Sequence, residues 1–307
     1  MSLFSLIAVF LIEQLKPLPY RRLVVDPLSM WADFIESRCN AGEYRHGVVA
    51  WCLAVLLPVV LVALFYAFLY SLSPFLAFAL NVATLYLTMG FRQFSRHYTE
   101  IQISLRQADL PRARQLLGEW LGRSVDTLGS EDIARLSIEQ ALIASHRHVF
   151  AVLLWFILLP GPCGAVLYRM ASVIGERWNN CNVAEHNGFC VFSRHILGMI
   201  DWLPLRATAS AFAIVGDFED AIYCWRTQAG FWPDRELGIV LASGAGALGV
   251  QLGMPVLDGG ELTDRAALGL GDPADVDFMQ SAVGLVWRAT VLWILLLFLL
   301  GLASLVG

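Results

Sequence analysis

Long apolar runs, set apart by short polar punctuation, dominate the chain. Gly47 to Tyr70 carries no charged residue, Ser71 to Pro74 makes a tight polar turn, and Phe75 to Phe91 returns as a second apolar run. A third covers Val149 to Met170, opening on continuous hydrocarbon to Leu159 and bending at Pro160-Gly161-Pro162. A fourth covers Val283 to Val306, with Trp287, Trp293 and Arg288 near its start. About 20 apolar residues cross the hydrocarbon of a bilayer as a helix. The pattern therefore predicts an all-α polytopic membrane bundle with the lipid bilayer as its surroundings.

Between the second and third runs the period changes to that of amphipathic helices. Asp109 can cap a helix with Pro111 in its first turn and Leu116, Leu117, Trp120 and Leu121 along one face. Gly122 breaks it, and a polar turn runs through Asp126, Thr127 and Gly129. Ser130 then opens a second helix, with Glu131 and Asp132 where the helix dipole favours negative charge, continuing past Ile133, Leu136, Ile138, Ala141 and Leu142. This helical pair feeds directly into the third span near His148. Met1 to Leu15 is apolar but too short to cross; with Lys16, Arg21 and Arg22 behind it, and neither a basic start nor a small-residue cleavage site, it is expected as an interfacial helix and not a cleaved leader. Pro27, Met30, Trp31, Phe34 and Ile35 suggest a further amphipathic piece.

Glu176 to Arg194 is polar, with Asn179, Asn180, Asn182 and Asn187, and is expected as a loop. Ile196 to Val215 contains Asp201, Pro204 and Arg206, which predicts a re-entrant or bundle-buried pair of helices over one lipid-facing span. Leu237 to Leu252 has the Gly/Ala content of close helix packing, and Pro255 to Asp277 is an acidic, Gly-rich loop.

Composition agrees with this outline. Of 307 residues 57% are hydrophobic and 15% charged, where a soluble domain carries about 25% charged residues. The net charge of −5, without a basic block, excludes nucleic acid as an expected partner. Arginine is dense at Arg21, Arg22, Arg38 and Arg45 and again from Arg92 to Arg147, which predicts that both flanks of the first hairpin are cytoplasmic and that the protein is a multi-pass protein of the bacterial inner membrane. Six cysteines include no CxxC pair. Cys181, His186 and Cys190 give three metal-binding side chains at a spacing that fits no common site, and Cys181 with Cys190 would form a disulfide if their loop is periplasmic.

Several segments resemble the CobD/CbiB superfamily, which includes the adenosylcobinamide-phosphate synthases of cobalamin assembly and the AmpE branch linked to β-lactamase induction. The resemblance lies in the stretch from Asp109 to Leu142, in Leu153-Leu154-Trp155-Phe156, in Gly164 to Arg169, in Asp201-Trp202-Leu203-Pro204-Leu205-Arg206, and in Ala245 to Val250 with Leu252, Gly253 and Pro255. With the apolar and arginine pattern it divides the chain into an interfacial segment over 1–47, a transmembrane hairpin over 48–91, a cytoplasmic helical pair over 92–147, the family core over 148–260, and a loop with a last transmembrane helix over 261–307.

The synthases join an amino alcohol phosphate to a corrinoid acid using ATP and Mg²⁺, and their helix before the third span carries a pattern like E-S-L-A-E-N-x-x-D-G. Aligned on Trp155, the first glutamate is Glu139, while the remaining acidic and amide positions fall on Ile143, Ala144 and Arg147; in the synthases' Y-R-x-x-N-T-L-D, Ser172 and Gly175 follow Tyr168 and Arg169. That loss predicts an AmpE-like binding or signalling protein of the cell-wall-linked antibiotic response, without synthase chemistry, and with no catalytic residue, metal or cofactor assigned. An adenosylcobinamide-phosphate synthase is the alternative.

Arg123, Asp126 and Thr127 keep most of the family's R-D-T turn, as a capping turn or a phosphate site. Glu139 is either a site residue or an i, i+4 partner of Arg135. Arg206 either meets an anionic ligand or snorkels, and Tyr168 and Arg169 share that ambiguity. Together these residues are the candidate binding set for an anionic small ligand at the cytoplasmic end of the third span. A membrane-protein partner or a second copy of the chain is a further expected partner class.

Overall fold

In the computed structural model residues 2–15, 21–40, 42–179, 188–258 and 261–306 are described. Helices α1 (Ser2–Leu15) and α2 (Asp26–Cys39) precede a long apolar rod made of α3 (Tyr44–Trp51), a π-helical turn (Cys52–Leu56) and α4 (Leu57–Leu72). The rod stops at Ser73, whose hydroxyl accepts from the Phe75 amide at 3.3 Å and so caps α5 (Pro74–Thr88). Pro74 takes the first helical position, where no intrahelical amide bond is lost. Then come α6 (Phe91–Arg106) and α7 (Leu110–Leu121). Asp109 caps α7 by accepting from the Arg112 amide at 3.1 Å, and Gly122 ends it at φ 70°, a left-handed conformation natural to glycine.

Next, α8 (Ser130–Ser145) runs through a π-helical turn (His146–Phe150) into α9 (Ala151–Leu158). The rest is α10 (Cys163–Asn179), α11 (Gly188–Val215), α12 (Phe218–Gln228), α13 (Arg235–Leu248) and α14 (Val276–Val306). Between α13 and α14, β1 (Val250–Gln251) pairs parallel with β4 (Asp272–Pro273), and β2 (Val256–Asp258) pairs antiparallel with β3 (Glu261–Thr263).

Three segments among the described residues are long and apolar enough to cross a membrane: Tyr44–Leu72, Ser130–Leu158 and Val276–Ala303. The expected all-α membrane bundle is the architecture found. In the middle segment 61% of the apolar stretch is buried by protein, against 22% and 28% in the other two, so that helix is interior. The sequence suggested an amphipathic surface helix ending near His148. Instead α8 is buried at Ile133 through Glu139 and again at Ala141, Leu142, Ala144 and Ser145, because neighbouring helices cover nearly all its faces. At 15 residues α5 is about 22 Å long, shorter than the ~30 Å hydrocarbon core.

A single helix, α11, replaces the re-entrant pair expected around Pro204. Proline has no amide for the carbonyl four residues earlier, here that of Ile200. The Trp155 indole fills the gap, donating to the Ile200 carbonyl at 3.2 Å. The same device serves Pro58 in the first span: the Trp31 indole donates to the Ala54 carbonyl at 3.2 Å. A freed carbonyl shielded from water needs such a donor, which is how a proline can stand inside a helix.

The chain divides into two compact units, each discontinuous: residues 1–90 with 147–203, and residues 91–146 with 204–307. The first is built around Ala32, Ile35, Trp51, Val55, Ile174, Trp178 and Phe189. There the rings of Trp178 and Phe189 lie 4.8 Å apart, and the Trp178 indole donates to the Ala32 carbonyl at 3.3 Å. The second packs α8 against α6, α13 and α14, with Tyr98 donating to the Met279 carbonyl at 2.7 Å and Ser243 to the Ala209 carbonyl at 2.8 Å. Gly246 lets α12 and α13 approach closely, since a Cβ there would stand 2.4 Å from the Asp220 carbonyl oxygen. Cys190 is disulfide-bonded, while Lys16, Cys181 and His186 lie outside the described residues.

Candidate functional site

In the first unit the polar side chains gather where α5, α10 and α11 meet the π-helical turn after α8. Tyr168, fully buried on α10, donates from its hydroxyl to the Asp201 carboxylate on α11 at 3.0 Å. Beside it Arg169 donates from Nε to the Thr88 carbonyl at 2.9 Å and from Nη2 to the same oxygen, closing the buried C-terminal end of α5. The same Nη2 stands 3.1 Å from His148 Nδ1, which accepts there. Arg147 pairs with Glu176, so its charge is offset. Two of the resembling elements, Gly164 to Arg169 and Asp201 to Arg206, are thus joined through Tyr168 and Asp201.

In the second unit the element from Ala245 to Pro255 forms the end of α13 and the loop beyond it. Gly249 leaves the helix at φ 66°, and Gly253 and Met254 follow in left-handed conformation at φ 75° and φ 68°. A Cβ on Gly253 would lie 2.0 Å from the Ala266 carbonyl oxygen, so only glycine fits. This loop rests on Glu139, which is 4% exposed. One carboxylate oxygen accepts from the Gly253 amide at 2.9 Å and the other from Arg265 Nη1 at 2.8 Å. Arg265 also donates to the carbonyls of Gly253 and Met254 at 3.3 Å each, and its guanidinium lies 5.2 Å from the Trp232 ring centre.

The candidate residues are distributed accordingly. Arg123, Asp126 and Thr127 share one exposed turn of the second unit, anchored by buried Val125 and Leu128; Ser124 donates to Asp126 at 2.6 Å and Arg114 to the Leu128 carbonyl at 2.8 Å. Arg206 is half-buried on α11 in the same unit. Tyr168 and Arg169 belong to the first unit. The i, i+4 pairing of Arg135 with Glu139 does not form: Arg135 turns to Asp132 at 2.6 Å and Glu139 to Arg265, 126 residues away. Sequence inspection missed Arg265 and Thr88. The one available signal was an arginine inside the otherwise acidic loop from Pro255 to Asp277.

The resemblance implies a reaction using Mg²⁺ with ATP. Among the described residues no group of three or more His, Cys, Asp or Glu side chains could hold a metal ion, and both oxygens of Glu139 are engaged. The donor set therefore does not fit a metal held by protein carboxylates at this helix.

The family model described as CobD/Cbib protein matches residues 8–286. A protein of Stutzerimonas stutzeri named cobalamin biosynthesis protein CobD is 35% identical over 302 residues, covering 97% of each chain. One of Chromobacterium violaceum with the same name is 36% identical over 221 residues, 72% of this chain and 70% of its own. A Salmonella arizonae protein named cobalamin biosynthesis protein CbiB is 25% identical over 235 residues. No solved structure matches.

These relatives overturn the expectation of an AmpE-like signalling protein without chemistry, and with it the non-enzyme assignment. That expectation rested on apolar and basic replacements at Ile143, Ala144 and Arg147. Ala144 is buried and Ile143 half-buried on a helix packed into the core of its unit, and Arg147 is paired with Glu176. The first two answer to packing and the third to its ion pair, so their identity does not report on chemistry carried elsewhere. Nearly the whole chain is covered by the family model, and the chain belongs to the CobD/CbiB family.

Proposed function

We propose that this protein is an adenosylcobinamide-phosphate synthase, joining an amino alcohol phosphate to a corrinoid acid through an amide bond with consumption of ATP. The observation that carries this is the 35% identity across 97% of both chains to a protein named for cobalamin biosynthesis. The geometry supports it in a second way. The family-resembling elements are tied in pairs by buried hydrogen bonds, Tyr168 with Asp201 and Glu139 with the Gly253 amide. Buried polar pairs are costly unless fully satisfied, so their placement at these elements marks where the fold is held to one geometry.

Arg123 and Thr127, with Asp126 in the same turn, and Arg206 remain the proposed contacts for the anionic parts of the substrates, Arg being suited to bidentate bonds with phosphate or carboxylate. Tyr168 and Arg169, buried and bonded to Asp201 and to Thr88 and His148, hold the fold of the other unit instead. Mg²⁺ would arrive on the ATP phosphates and keep much of its water. The protein is a multi-pass protein of the inner membrane, with the arginine-dense stretch from Arg92 to Arg123, ahead of the span Ser130–Leu158, on the cytoplasmic side.

Genetic complementation tests the proposal. Expressed in a bacterium that lacks its own synthase and cannot make cobalamin, this chain should restore cobalamin-dependent growth. No growth, with the protein present in the membrane fraction, would reject it.

A further inference from the structure

The Glu139–Arg265 pair combines two features that folding stability alone would not select. A buried ion pair is often no more stable than apolar residues of the same volume. The loop it holds keeps a non-glycine residue, Met254, at φ 68°, a strained conformation that persists only where the surroundings over-determine it. Arg265 supplies that determination. Its Nε bonds the Met254 carbonyl, its Nη2 the Gly253 carbonyl and its Nη1 Glu139, whose other oxygen holds the Gly253 amide. Its guanidinium carbon lies over the Trp232 ring. With these three bonds made and its side chain 13% exposed, Arg265 is committed to the loop and not presented to a ligand. Met254, by contrast, is 37% exposed at the tip.

Resting on the synthase assignment above, we propose that Arg265 is a positioning residue of the reaction: through Glu139 it fixes Gly253 and Met254 in left-handed conformation, so that the segment from Leu252 to Pro255 forms a rigid wall of the substrate site. The role belongs to the shape of the guanidinium as well as its charge. Lysine would keep the ion pair with Glu139 and lose the fork that reaches both carbonyls.

Three variants and two measurements test this. In detergent-purified protein, Arg265→Ala should lower kcat/KM at least tenfold, mainly through KM for the corrinoid acid, and Arg265→Lys should recover only part of the loss. Glycine adopts positive φ without penalty, so Met254→Gly added to Arg265→Ala should regain at least threefold. Hydrogen–deuterium exchange gives a readout independent of activity: a peptide spanning residues 249–258 should exchange at least tenfold faster in Arg265→Ala than in the parent. If the parent protein shows no synthase activity but the exchange rate rises as stated, the synthase assignment fails and the latch stands. If exchange in that peptide is unchanged, or Arg265→Ala keeps kcat/KM within twofold of an active parent, or the added glycine gives no recovery, the positioning role is wrong.

Discussion

The Trp155 indole donates to the Ile200 carbonyl at 3.2 Å, the oxygen that Pro204 leaves without its helical amide. Proline and tryptophan here are two halves of one device, and its parts come from two family-resembling elements. Trp155→Phe should strand a part-buried carbonyl and cost about 0.5–1.5 kcal/mol of stability. In a Pro204→Ala background the new amide can take the carbonyl, so the cost of Trp155→Phe should fall by at least half. A double-mutant cycle of unfolding in detergent measures it; equal costs in both backgrounds would show that the indole serves only packing.

Local signals in the sequence account for the elements whose ends are set locally. The Asp109 cap, the Gly122 stop and the Ser73-Pro74 turn stand where the residue types put them. What was not legible depends on partners far along the chain. Pro204 and Asp201 read as reasons to break a helix, and α11 is unbroken because Trp155 and Tyr168 meet the polar groups concerned. Glu139 had an apparent partner one turn away in Arg135, and its actual partner lies 126 residues on. For the same reason the buried character of α8 was hidden: covering helices, not its own periodicity, set its exposure. The replacements at Ile143, Ala144 and Arg147 were visible, but the sequence did not show that the first two are packing positions and that the third pairs with Glu176.

The Tyr168–Asp201 contact makes a second stability prediction. Removing the hydroxyl with Tyr168→Phe takes a donor from a buried carboxylate, which should cost about 1–3 kcal/mol. Combined with Asp201→Asn, the two changes should be non-additive by about 0.5–3 kcal/mol. Strict additivity in thermal unfolding would remove this contact from the account.

Outside the spans, Arg177 donates to both oxygens of Asp33, at 2.7 and 2.8 Å. This hydrogen bonding holds the Asp33 carboxyl below its usual value of 3.8, with burial opposing it weakly. A depressed folded-state pKa means the carboxylate contributes stability above the unfolded pKa, and the contribution is lost as pH falls through the folded value. Both side chains are about half exposed, so the pair is worth at most about 1 kcal/mol. Asp33→Asn should therefore destabilise slightly at pH 6, with the difference shrinking as pH falls below the unfolded value and through the lowered folded one. A difference that persists in acid would contradict the pairing.

The central claim, that this chain forms an amide bond in cobalamin assembly, is tested most directly by the reaction itself. Purified protein in detergent or nanodiscs, given the corrinoid acid, the amino alcohol phosphate, ATP and Mg²⁺, should form adenosylcobinamide phosphate, read by mass spectrometry, at a rate that depends on ATP and on the amount of protein. No product above background, from protein whose folded state is verified by cooperative unfolding, would contradict it.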